Sequence, residues 1–461
     1  MFKRAVTLTV LTLAAAFPAG AGAAERWSVR GAGWGHGIGM SQWGAYGYAK
    51  HGANHREILD HYYRDTKIGS VSGGAVRVLL QPNRSVIYFR HATQGGDREL
   101  TEEAGYRATR EGGNVVLRSS SGRRLASFPG VMRVVGGKHV RLMGRADNGV
   151  RDGLYRDHLE IRAASGAGLN AINAVDLEDY LTGVVPGESP ASWPAPALEA
   201  QAVAARSYAL ASNVNGKGFD QYADTRSQVY RGYLAETPAT NAAVAATAGE
   251  VVTYDGEIAT TFFFSTSGGH TENVENVFTG GSPKPWLKGV EDPYDNPSPY
   301  HRWGPFNYSR TVLAKKLGSW VKGRLKSFKV LKRGVSPRVV KARISGTRGS
   351  TVVTGPQIRT RLGLRDTWFY VRRVKTSRST GAEARTLRGA RPLVALHGTV
   401  DATNLDSVTL ERRDGADWRK VGIFPLVDGG YRIHVGTAGI YRVKAGWASG
   451  PELRVAPPLI G

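Results

Sequence analysis

One carboxylic acid in this sequence has neighbours that suit proton transfer. Glu188 lies within VVPGESPASWP, so valines, prolines and a tryptophan flank it on both sides. Apolar surroundings disfavour the charged form of a carboxyl group and raise its pKa towards the range in which it can donate a proton near neutral pH. The pattern therefore makes Glu188 the candidate catalytic acid, held in a bend just ahead of a helix.

The stretch that follows predicts the helix that positions this acid. Pro196 suits a first helical turn, and LEAQAVAARSYALAS continues through good helix formers as far as Asn213. Small and apolar side chains cover almost every face, which indicates a largely buried helix. Arg206 stands out, because a buried guanidinium needs a carboxylate or an anionic ligand. Two interpretations stay open: Arg206 pairs with Glu199 on its own helix, or it faces Glu188 or the substrate.

The length and composition of the chain bound its fold. A chain of 461 residues with 41% hydrophobic content can bury a large core and suggests two or three domains. The 59 glycines, the 21 prolines and many short alternating runs favour strands and loops over helices. We therefore expect an α+β fold: a β-rich catalytic body with a central buried helix, followed by a C-terminal β-sandwich.

Residues 1–23 have the features of a secretory signal peptide. Lys3 and Arg4 precede an apolar run, and small residues end at Ala23. Cleavage near Ala23 would yield a protein that is secreted or stays in the cell envelope. No later stretch has enough consecutive apolar residues to span a bilayer.

The chain contains no cysteine, which excludes disulfide bonds and thiolate catalysis. A structural zinc site would then depend on histidine and carboxylate ligands alone. His270, Glu272 and Glu275 lie close together, but their spacing is not typical of metal binding. The sequence therefore predicts neither a metal nor another cofactor.

The positive charge of the chain is concentrated in one stretch. The formal net charge is +24, and residues 302–391 contain 24 Lys and Arg residues against two acids, Asp366 and Glu383. On an exported protein such a field favours an anionic polymer of the envelope as the partner and argues against nucleic acid. The alternative is a solvated face that only keeps the protein soluble.

The regions before the central helix differ in pattern. A glycine-rich segment, residues 27–68, includes GWGHGIGMSQWGA, in which His36 and Gln42 either offer hydrogen bonds to a sugar or satisfy buried backbone. Its alternating glycines permit a neighbouring strand or a ligand to approach closely. Short alternating runs over residues 75–172 predict a β domain.

Beyond the helix, two further polar segments are candidates for a cleft. DTRSQVYRGY contains Gln228 and Tyr230, and STSGGHTE contains Ser267, Gly268 and Gly269 at the end of a predicted strand. Hydroxyls and glycines suit a polar cleft, although a plain loop uses the same residues.

In these motifs the chain resembles the stage II sporulation protein D and amidase-enhancer family. The matching stretches are DLEDYLTGVVPGESPASWPAPALEAQAVAARSYAL, DTRSQVYRGY, STSGGHTE, SGTRGSTVVTGPQIRTRLGLRDTWF and GWGHGIGMSQWGA. They cover most of residues 33–370. We therefore assign residues 75–375 to a domain of this family, 376–391 to a linker and 392–461 to an accessory β-sandwich.

The resemblance implies a bacterial cell-wall protein, because members of this family act as lytic transglycosylases on glycan strands stripped of stem peptides. Glu188 occupies the position of the family's catalytic glutamate, and Arg206 that of a matching arginine. From the matching motifs we expect substrate-binding roles for Arg206, Gln228, Tyr230, Ser267, Gly268, Gly269, His36 and Gln42.

Three features depart from the family pattern. The GHGxGMSQ motif usually closes the family domain but here precedes it, as in a circular permutation. Glu199 replaces a lysine that is common in the helix. Some relatives carry a cysteine-containing zinc site near the QVY motif, where this chain has Ser227, so no zinc is expected.

Three hypotheses follow for the function. The first is a lytic transglycosylase that cleaves the MurNAc–GlcNAc bond with Glu188 as its acid and base. The second is a non-catalytic wall-binding protein that stimulates or recruits an N-acetylmuramoyl-L-alanine amidase. The third is a hydrolase that adds a second carboxylate from Asp176, Glu178 or Asp179, although capping of a short helix explains these acids more simply.

The displaced glycine-rich motif makes a spatial prediction. If it does the same work as in relatives where it follows the domain, residues 33–45 lie beside Glu188 and near a strand that ends at Tyr370. His36 or Gln42 then faces the cleft, within about 15 Å of Glu188, which is the reach of a disaccharide's contacts.

Overall fold

The fold comes from a computed structural model, which describes residues 24–214, 217–278, 281–379, 394–401 and 404–456. The predicted signal peptide, residues 1–23, lies outside these ranges. Strand content exceeds helix content in the described chain, so the predicted β-rich α+β fold is confirmed. None of the helices in these ranges is long and apolar enough to cross a bilayer.

The helices cluster in the middle of the chain, around the segment that carries Glu188. In chain order they are α1 (Gln42–Lys50), α2 (His55–Tyr62), α3 (Leu177–Glu188), α4 (Ala195–Ala211), α5 (Pro238–Ala246), α6 (Val274–Val277), α7 (Arg310–Leu317) and α8 (Gly355–Leu362).

The strands before the central helix build most of the body. They are β1 (Ala24–Ala32), β2 (Met40–Ser41), β3 (Lys67–Ser70), β4 (Ala75–Arg84), β5 (Val86–Arg90), β6 (Gln94–Gly95), β7 (Arg98–Glu99), β8 (Tyr106–Glu111), β9 (Asn114–Ser119), β10 (Arg124–Pro129), β11 (Val131–Val135), β12 (Val140–Arg145), β13 (Arg151–Tyr155), β14 (His158–Ala163) and β15 (Leu169–Asp176).

The strands after the central helix complete the body and form the C-terminal part. They are β16 (Gln221–Tyr222), β17 (Glu250–Tyr254), β18 (Glu257–Ile258), β19 (Phe263–Phe264), β20 (Arg302–Ser309), β21 (Leu325–Arg333), β22 (Val339–Gly346), β23 (Gly349–Thr354), β24 (Phe369–Ser379), β25 (Val394–Val400), β26 (Ser407–Asp414), β27 (Asp417–Pro425), β28 (Gly430–Val435), β29 (Gly439–Ala445), β30 (Ala448–Ser449) and β31 (Leu453–Val455).

The alternating runs predicted over residues 75–172 form two packed sheets. One has the strand order β10-β9-β8-β5-β12-β13, and the other β16-β4-β15-β14-β11-β6-β7. Phe89 and Leu117 from the first sheet share one apolar core with Ile161 and Leu169 from the second. Period-two alternation produces this arrangement, because it turns every second side chain of a strand towards the same face.

The central helix α4 is buried on both sides, as its composition predicts. Leu198 and Ala202 belong to the core of the two-sheet body. Ala200 and Val203 belong to a second core, which includes residues of α2 and β17. The alanines of α4 leave room for helices to approach, and α1, α2, α3 and α5 all pack against it. The helix therefore connects the two cores.

The bend predicted before Glu188 is wrong, because α3 continues through it. This helix begins after Asp176, whose carboxylate accepts the backbone N–H of Glu178, and it includes Pro186. Proline normally ends a helix because it lacks an N–H. Here the fully buried Val185 keeps the last turn packed, and its carbonyl accepts the N–H of Ser189 at 2.9 Å. Glu188 is therefore the final residue of α3.

The glycine-rich segment packs tightly against the body without forming a regular strand. Gly37 and Gly39 have φ angles of 87° and 71°, a backbone conformation that favours glycine. A Cβ at Gly39 would lie 2.0 Å from the carbonyl oxygen of Phe262, and one at Gly37 would lie 2.4 Å from Nε of Arg338. The alternating glycines therefore serve contacts with the protein's own residues.

The C-terminal strands form two layers, and one of these layers continues a sheet of the body. β25 and β28 extend the order β20-β1-β24-β25-β28, and β27-β26-β29-β30 with β31 forms the second layer. Val374 of β24 and Leu410 of β26 lie in the core between them. The predicted start of a linker at Thr376 is wrong, because β24 pairs with β25 through Ser379. Residues 380–391 of that linker lie outside the described residues.

Candidate active site

Glu188 is a partly buried acid whose hydrogen-bond donors are uncharged. The backbone N–H of Val229 donates to Oε1 at 2.7 Å, and Nε2 of Gln42 donates to Oε2 at 3.3 Å. Burial raises the pKa of Glu188; the two donors and the more remote charge of Arg231 lower it without cancelling that effect. Among the described residues no Lys, Arg or His forms an ion pair with Glu188. The site thus favours a carboxyl group that keeps its proton to a higher pH than usual.

Gln42 brings the displaced glycine-rich segment into this site. It is the first residue of α1, a helix capped by the side chain of Ser41, and β2 just before it pairs with β19. Nε2 of Gln42 lies 3.1 Å from the carbonyl oxygen of Glu188, besides its contact with the carboxylate. The segment therefore lies beside Glu188 in space, well within the 15 Å limit set for it.

The same segment also contacts the region of Tyr370, as its predicted placement requires. β1 pairs with β24 along its length, with Gly31 opposite Phe369. The backbone N–H of Gly35 donates to the carbonyl of Arg365 at 3.2 Å. β24 begins at Phe369, so Tyr370 lies near the start of that strand; the expectation that a strand ends there is wrong.

Gln201 is a site residue that the sequence reasoning missed. It projects from α4, is buried, and its Oε1 lies 3.2 Å from Nε2 of Gln42 and 3.4 Å from Oγ of Ser189. Its own Nε2 has no hydrogen-bond partner in the described part of the chain. The signal was available, since Gln201 is one of the few polar residues in a helix dominated by small and apolar side chains.

An aromatic cluster includes Trp193, five residues after Glu188, and Trp43, the residue after Gln42. The rings of Trp43, Tyr46 and Trp193 pack together with centroids 5.1 to 5.4 Å apart, and each is half-buried. Burial raises the pKa of Tyr208, and the charge of Glu188 raises it further. Of these aromatic residues, sequence reasoning had identified Trp193 alone.

Arg206 does not face Glu188 or an open cleft, and it does not pair with Glu199. Its side chain is 0% exposed, and its Nε and Nη2 donate to the two carboxylate oxygens of Glu178 at 2.7 and 2.6 Å. Nη1 donates to the carbonyl of Glu250 at 3.0 Å. Glu199 lies 3.2 Å from Nδ1 of His55. Both sequence interpretations are therefore wrong, because the pairing follows from how α3 packs on α4.

Gln228 and Tyr230 are buried, so direct substrate contact is contradicted for both. Nε2 of Gln228 donates to the carbonyl of Ala205 at 3.2 Å, and the hydroxyl of Tyr230 donates to Oδ1 of Asn173 at 2.6 Å. These anchors fix the residue between them, Val229, whose N–H reaches Glu188. The QVY motif thus positions a donor for the acid.

Ser267, Gly268 and Gly269 also form internal contacts instead of a polar cleft. The carbonyl of Ser267 accepts from Arg338 at 2.8 Å, and the N–H of Gly268 donates to Asp295 at 2.6 Å. The N–H of Gly269 donates to Oγ of Ser267 at 2.9 Å. The backbone N–H of Ser267 donates to Oγ of Ser41 at 3.2 Å, so this loop supports the cap of α1.

His36 occupies an aromatic pocket separate from the contacts of Glu188. Its ring centroid lies 5.3 to 5.9 Å from the rings of Phe262, Phe264 and Phe278. Burial, followed by the charge of Arg359, lowers the pKa of His36 to about 3, so the ring is neutral. Of the two residues proposed to face the site, Gln42 contacts Glu188 and His36 does not.

Within the described ranges there is no group of three His, Asp or Glu side chains arranged to hold a metal ion. His270, Glu272 and Glu275 are used otherwise. The carboxylate of Glu272 accepts hydrogen bonds from Ser336 and Asn276, and Glu275 pairs with Lys288.

Part of the chain is similar to stage II sporulation protein D and to amidase enhancer proteins. Residues 165–254, which include α3, α4 and the QVY motif, match the family model described as stage II sporulation protein. The resemblance seen in the motifs is therefore confirmed.

Individual relatives match over parts of their length. Stage II sporulation protein D of Bacillus subtilis is 31% identical over 220 residues, which are 44% of this chain and 62% of that protein. The amidase enhancer of Bacillus subtilis is 40% identical over 115 residues, 25% of this chain and 15% of that protein. An uncharacterised protein of Brachyspira hyodysenteriae is 42% identical over 122 residues, 26% of this chain and 33% of that protein. The matches thus span less than two thirds of each relative.

Proposed function

We propose that this protein acts on the bacterial cell wall as a lytic transglycosylase that cleaves MurNAc–GlcNAc bonds in glycan strands stripped of stem peptides. The observation that carries the proposal is the setting of Glu188. It is a single carboxyl group with a raised pKa, held by an amide and a backbone N–H, and no cation in the described ranges pairs with it. Such a group can donate a proton and later accept one.

The surroundings of α3 argue against a second catalytic carboxylate from the DLEDYL segment. Asp176 caps the helix, Glu178 binds Arg206, and Asp179 lies 3.5 Å from Arg156. Asp179 is nine residues before Glu188 on one helix, about 14 Å along its axis at 1.5 Å per residue. Paired catalytic carboxyl groups in glycosidases lie about 5 to 9.5 Å apart. This geometry disfavours the two-carboxylate hydrolase.

A one-acid mechanism fits this arrangement. The protonated Glu188 gives its proton to the glycosidic oxygen as the bond to the anomeric carbon breaks. The resulting carboxylate then takes the proton of the sugar's own C6 hydroxyl as that oxygen attacks the anomeric carbon, which leaves a 1,6-anhydro sugar. The N–H of Val229 and the amide of Gln42 stabilise the carboxylate formed between the two steps.

The aromatic group of Trp43, Tyr46 and Trp193 gives this site a surface for a sugar ring. Apolar ring faces suit the C–H faces of pyranoses, and a strand without stem peptides can lie flat on such a surface. Partial exposure of all three rings is consistent with this role. We assign them to substrate positioning, together with Gln42.

The second candidate function is non-catalytic. The likeness to a protein named amidase enhancer favours a role in stimulating or recruiting a wall amidase. In that case Glu188 is a structural residue, and the basic stretch over 302–391 carries the interaction with an anionic wall polymer. Export through the signal peptide at residues 1–23 belongs to both proposals.

Product analysis separates the candidates. The purified protein is incubated with glycan strands from which an amidase has removed the stem peptides, and the products are measured by mass spectrometry. Strands ending in 1,6-anhydro-MurNAc support the transglycosylase, whereas reducing ends support a hydrolase. Intact strands, combined with faster cleavage of whole walls by an added amidase, support the stimulating role and reject the enzymatic one.

A further inference from the structure

Two adjoining cavities lie between the body and the C-terminal strands, and neither involves Glu188. One has a volume of about 480 Å³ and the other about 650 Å³. Both are lined by Arg30 of β1, Tyr370 of β24 and Trp447, which lies between β29 and β30. We call the two together the junction groove. Its walls come from both the family domain and the C-terminal part of the chain.

Four arginines of the junction groove have no carboxylate partner among the described residues. They are Arg30, Arg302, Arg333 and Arg372. Arg302, Arg333 and Arg372 donate to backbone carbonyls, whereas the guanidinium of Arg30 has no hydrogen-bond partner in the described part of the chain. Asp401 also lines the groove, but its carboxylate is taken by Arg373 at 3.0 Å. The lining of the groove therefore carries positive charges that no carboxylate of the described residues pairs with.

Two pairs of these guanidinium groups repel each other: Arg30 with Arg372, and Arg30 with Arg302. Burial lowers the pKa of Arg372, and the charge of Arg30 lowers it further. Burial also lowers the pKa of Arg30, with a contribution from Arg302. Outside the described residues Glu383 is the single acidic residue of the sequence, so carboxylates of the chain cannot neutralise all four arginines. A bound anion would relieve this repulsion.

Aromatic rings hold the guanidinium groups in place. Arg30 lies over Trp447 at 4.6 Å from the ring centroid, and Arg372 lies over the same ring at 5.0 Å. Arg333 lies over Tyr370 at 4.6 Å. Such contacts fix the planar groups while leaving N–H donors at their edges for carboxylate or phosphate oxygens. The arginines are thus oriented before any ligand arrives.

We propose that the junction groove binds an anionic glycan, a sugar chain that bears repeated carboxylate or phosphodiester groups. Spaced arginines match repeated charges, and the length of two adjoining cavities matches a chain better than a single small ion. Guanidinium groups already lie over Trp447 and Tyr370, which leaves less of these rings for the bases of a nucleic acid to stack on.

The site would let the C-terminal strands contribute to substrate retention. Trp447 comes from these strands, and Arg372 donates to the carbonyl of Ala445 at 2.9 Å. One wall of the groove therefore depends on the docking of this part against β24. The proposal goes beyond the cleavage chemistry of Glu188, because it concerns how the protein stays on an anionic polymer.

The test measures binding by fluorescence anisotropy at two salt concentrations. The probes are labelled oligogalacturonate, which carries carboxylates, labelled oligo(glycerol phosphate), which carries phosphodiesters, and neutral labelled dextran. Arg30→Gln with Arg372→Gln should weaken binding of the preferred anionic probe about tenfold or more, since charge-assisted hydrogen bonds are lost. Trp447→Ala should weaken it also, because it frees both guanidinium groups.

The matched control is Arg324→Gln with Lys326→Gln, which removes two exposed charges from the same basic stretch outside the groove lining. It should change affinity by less than about twofold, because exposed charges are screened in salt. Equal losses in both double variants, stronger binding of a DNA oligomer, or equal binding of dextran would overturn the proposal. Thermal unfolding of each variant checks folding.

Binding and cleavage are separated by a further comparison. Glu188→Gln should bind the anionic probes as the wild type does, whatever its activity. The groove variants should cleave short soluble glycan fragments at the wild-type rate if the protein is an enzyme. If Glu188→Gln loses probe binding with its fold intact, the polymer binds at the Glu188 site. That result would contradict the assignment to the junction groove.

Discussion

Helix α3 carries two glutamates with opposite surroundings at its two ends. Glu178, in the first turn, receives both arms of the Arg206 guanidinium. Glu188, the last residue, receives one amide and one backbone N–H, and no cation of the described residues forms an ion pair with it. The helix is the same and the side chains are identical. What differs is the end of the helix dipole at which each lies and what packs against it.

The comparison shows how packing assigns roles to identical residues. A bidentate arginine commits both oxygens of the carboxylate to a structural ion pair. Neutral donors around a partly buried carboxyl leave burial as the dominant effect, so the pKa rises. Glu178 therefore belongs to the architecture, and Glu188 is suited to chemistry. The predictions below either break this contrast or sharpen it.

The largest effect is expected at the Glu178 end. Glu178→Gln leaves the fully buried Arg206 without its counter-ion and should lower the free energy of unfolding by about 3–5 kcal/mol. Urea denaturation measures the change. Replacing both residues, with Arg206→Met added, should recover part of the loss because no charge is then stranded. A loss below about 1 kcal/mol for Glu178→Gln would break the contrast.

The matched change at the C-terminal end of α3 is Glu188→Gln, which should leave stability unchanged and remove activity. Glu188→Gln keeps the shape and the Val229 contact but cannot give a proton. We expect glycan cleavage to fall about a hundredfold or more, with unfolding near the wild-type midpoint. The release of anhydro ends from denuded glycan gives the rate. Cleavage at the wild-type rate would remove Glu188 from the catalytic role.

Asp292 is a third carboxyl group, and it has a raised pKa although it is not a candidate for catalysis. Asp292 is fully buried, and burial together with the charge of Asp295 raises its pKa to about 7. Between the ordinary carboxyl pKa and about 7, the folded protein holds a proton that the unfolded chain has lost, so stability falls as pH rises through that window. Unlike Glu188, Asp292 has no exposed surface for a substrate.

Asp292→Asn cannot ionise and should escape this loss. Between pH 5 and pH 8, the stability of the variant should rise relative to the wild type by about 2–3 kcal/mol. Unfolding curves at several pH values test this, with glycan cleavage expected to stay near normal at pH 6. Parallel pH profiles of stability for the two proteins would show that the Asp292 proton is not retained in the fold.

Some of this site could be predicted from local pattern. Apolar neighbours pointed to Glu188, and the dense alanines of α4 indicated burial. Glycine spacing pointed to close packing of the segment that carries Gln42. Each of these inferences depends on residues adjacent in sequence, where propensity and periodicity act.

The partners of the site residues could not be predicted in the same way. Gln42 lies 146 positions from Glu188, and Arg206 lies 28 positions from Glu178. Those pairings follow from how helices cross, which sequence spacing on one helix does not reveal. At Pro186 the local rule predicted a break, but tertiary packing kept the helix intact. Local rules fail here because packing between distant segments determines the outcome.

The smallest predicted effect concerns the amide of Gln42. Its donation favours the charged form of Glu188, so Gln42→Ala should raise the pKa of Glu188 further. A general acid works in its protonated form, so activity declines as pH rises through this pKa. The decline should therefore move to higher pH in the variant, while the maximal rate falls about tenfold because the carboxylate formed in the reaction loses a donor.

The control is Gln94→Ala, which changes an exposed glutamine on β6 and should leave both the pH of the decline and the maximal rate unchanged. A shift to lower pH in Gln42→Ala would mean that the amide stabilises the protonated acid, and the contrast between the two ends of α3 would then need a different cause.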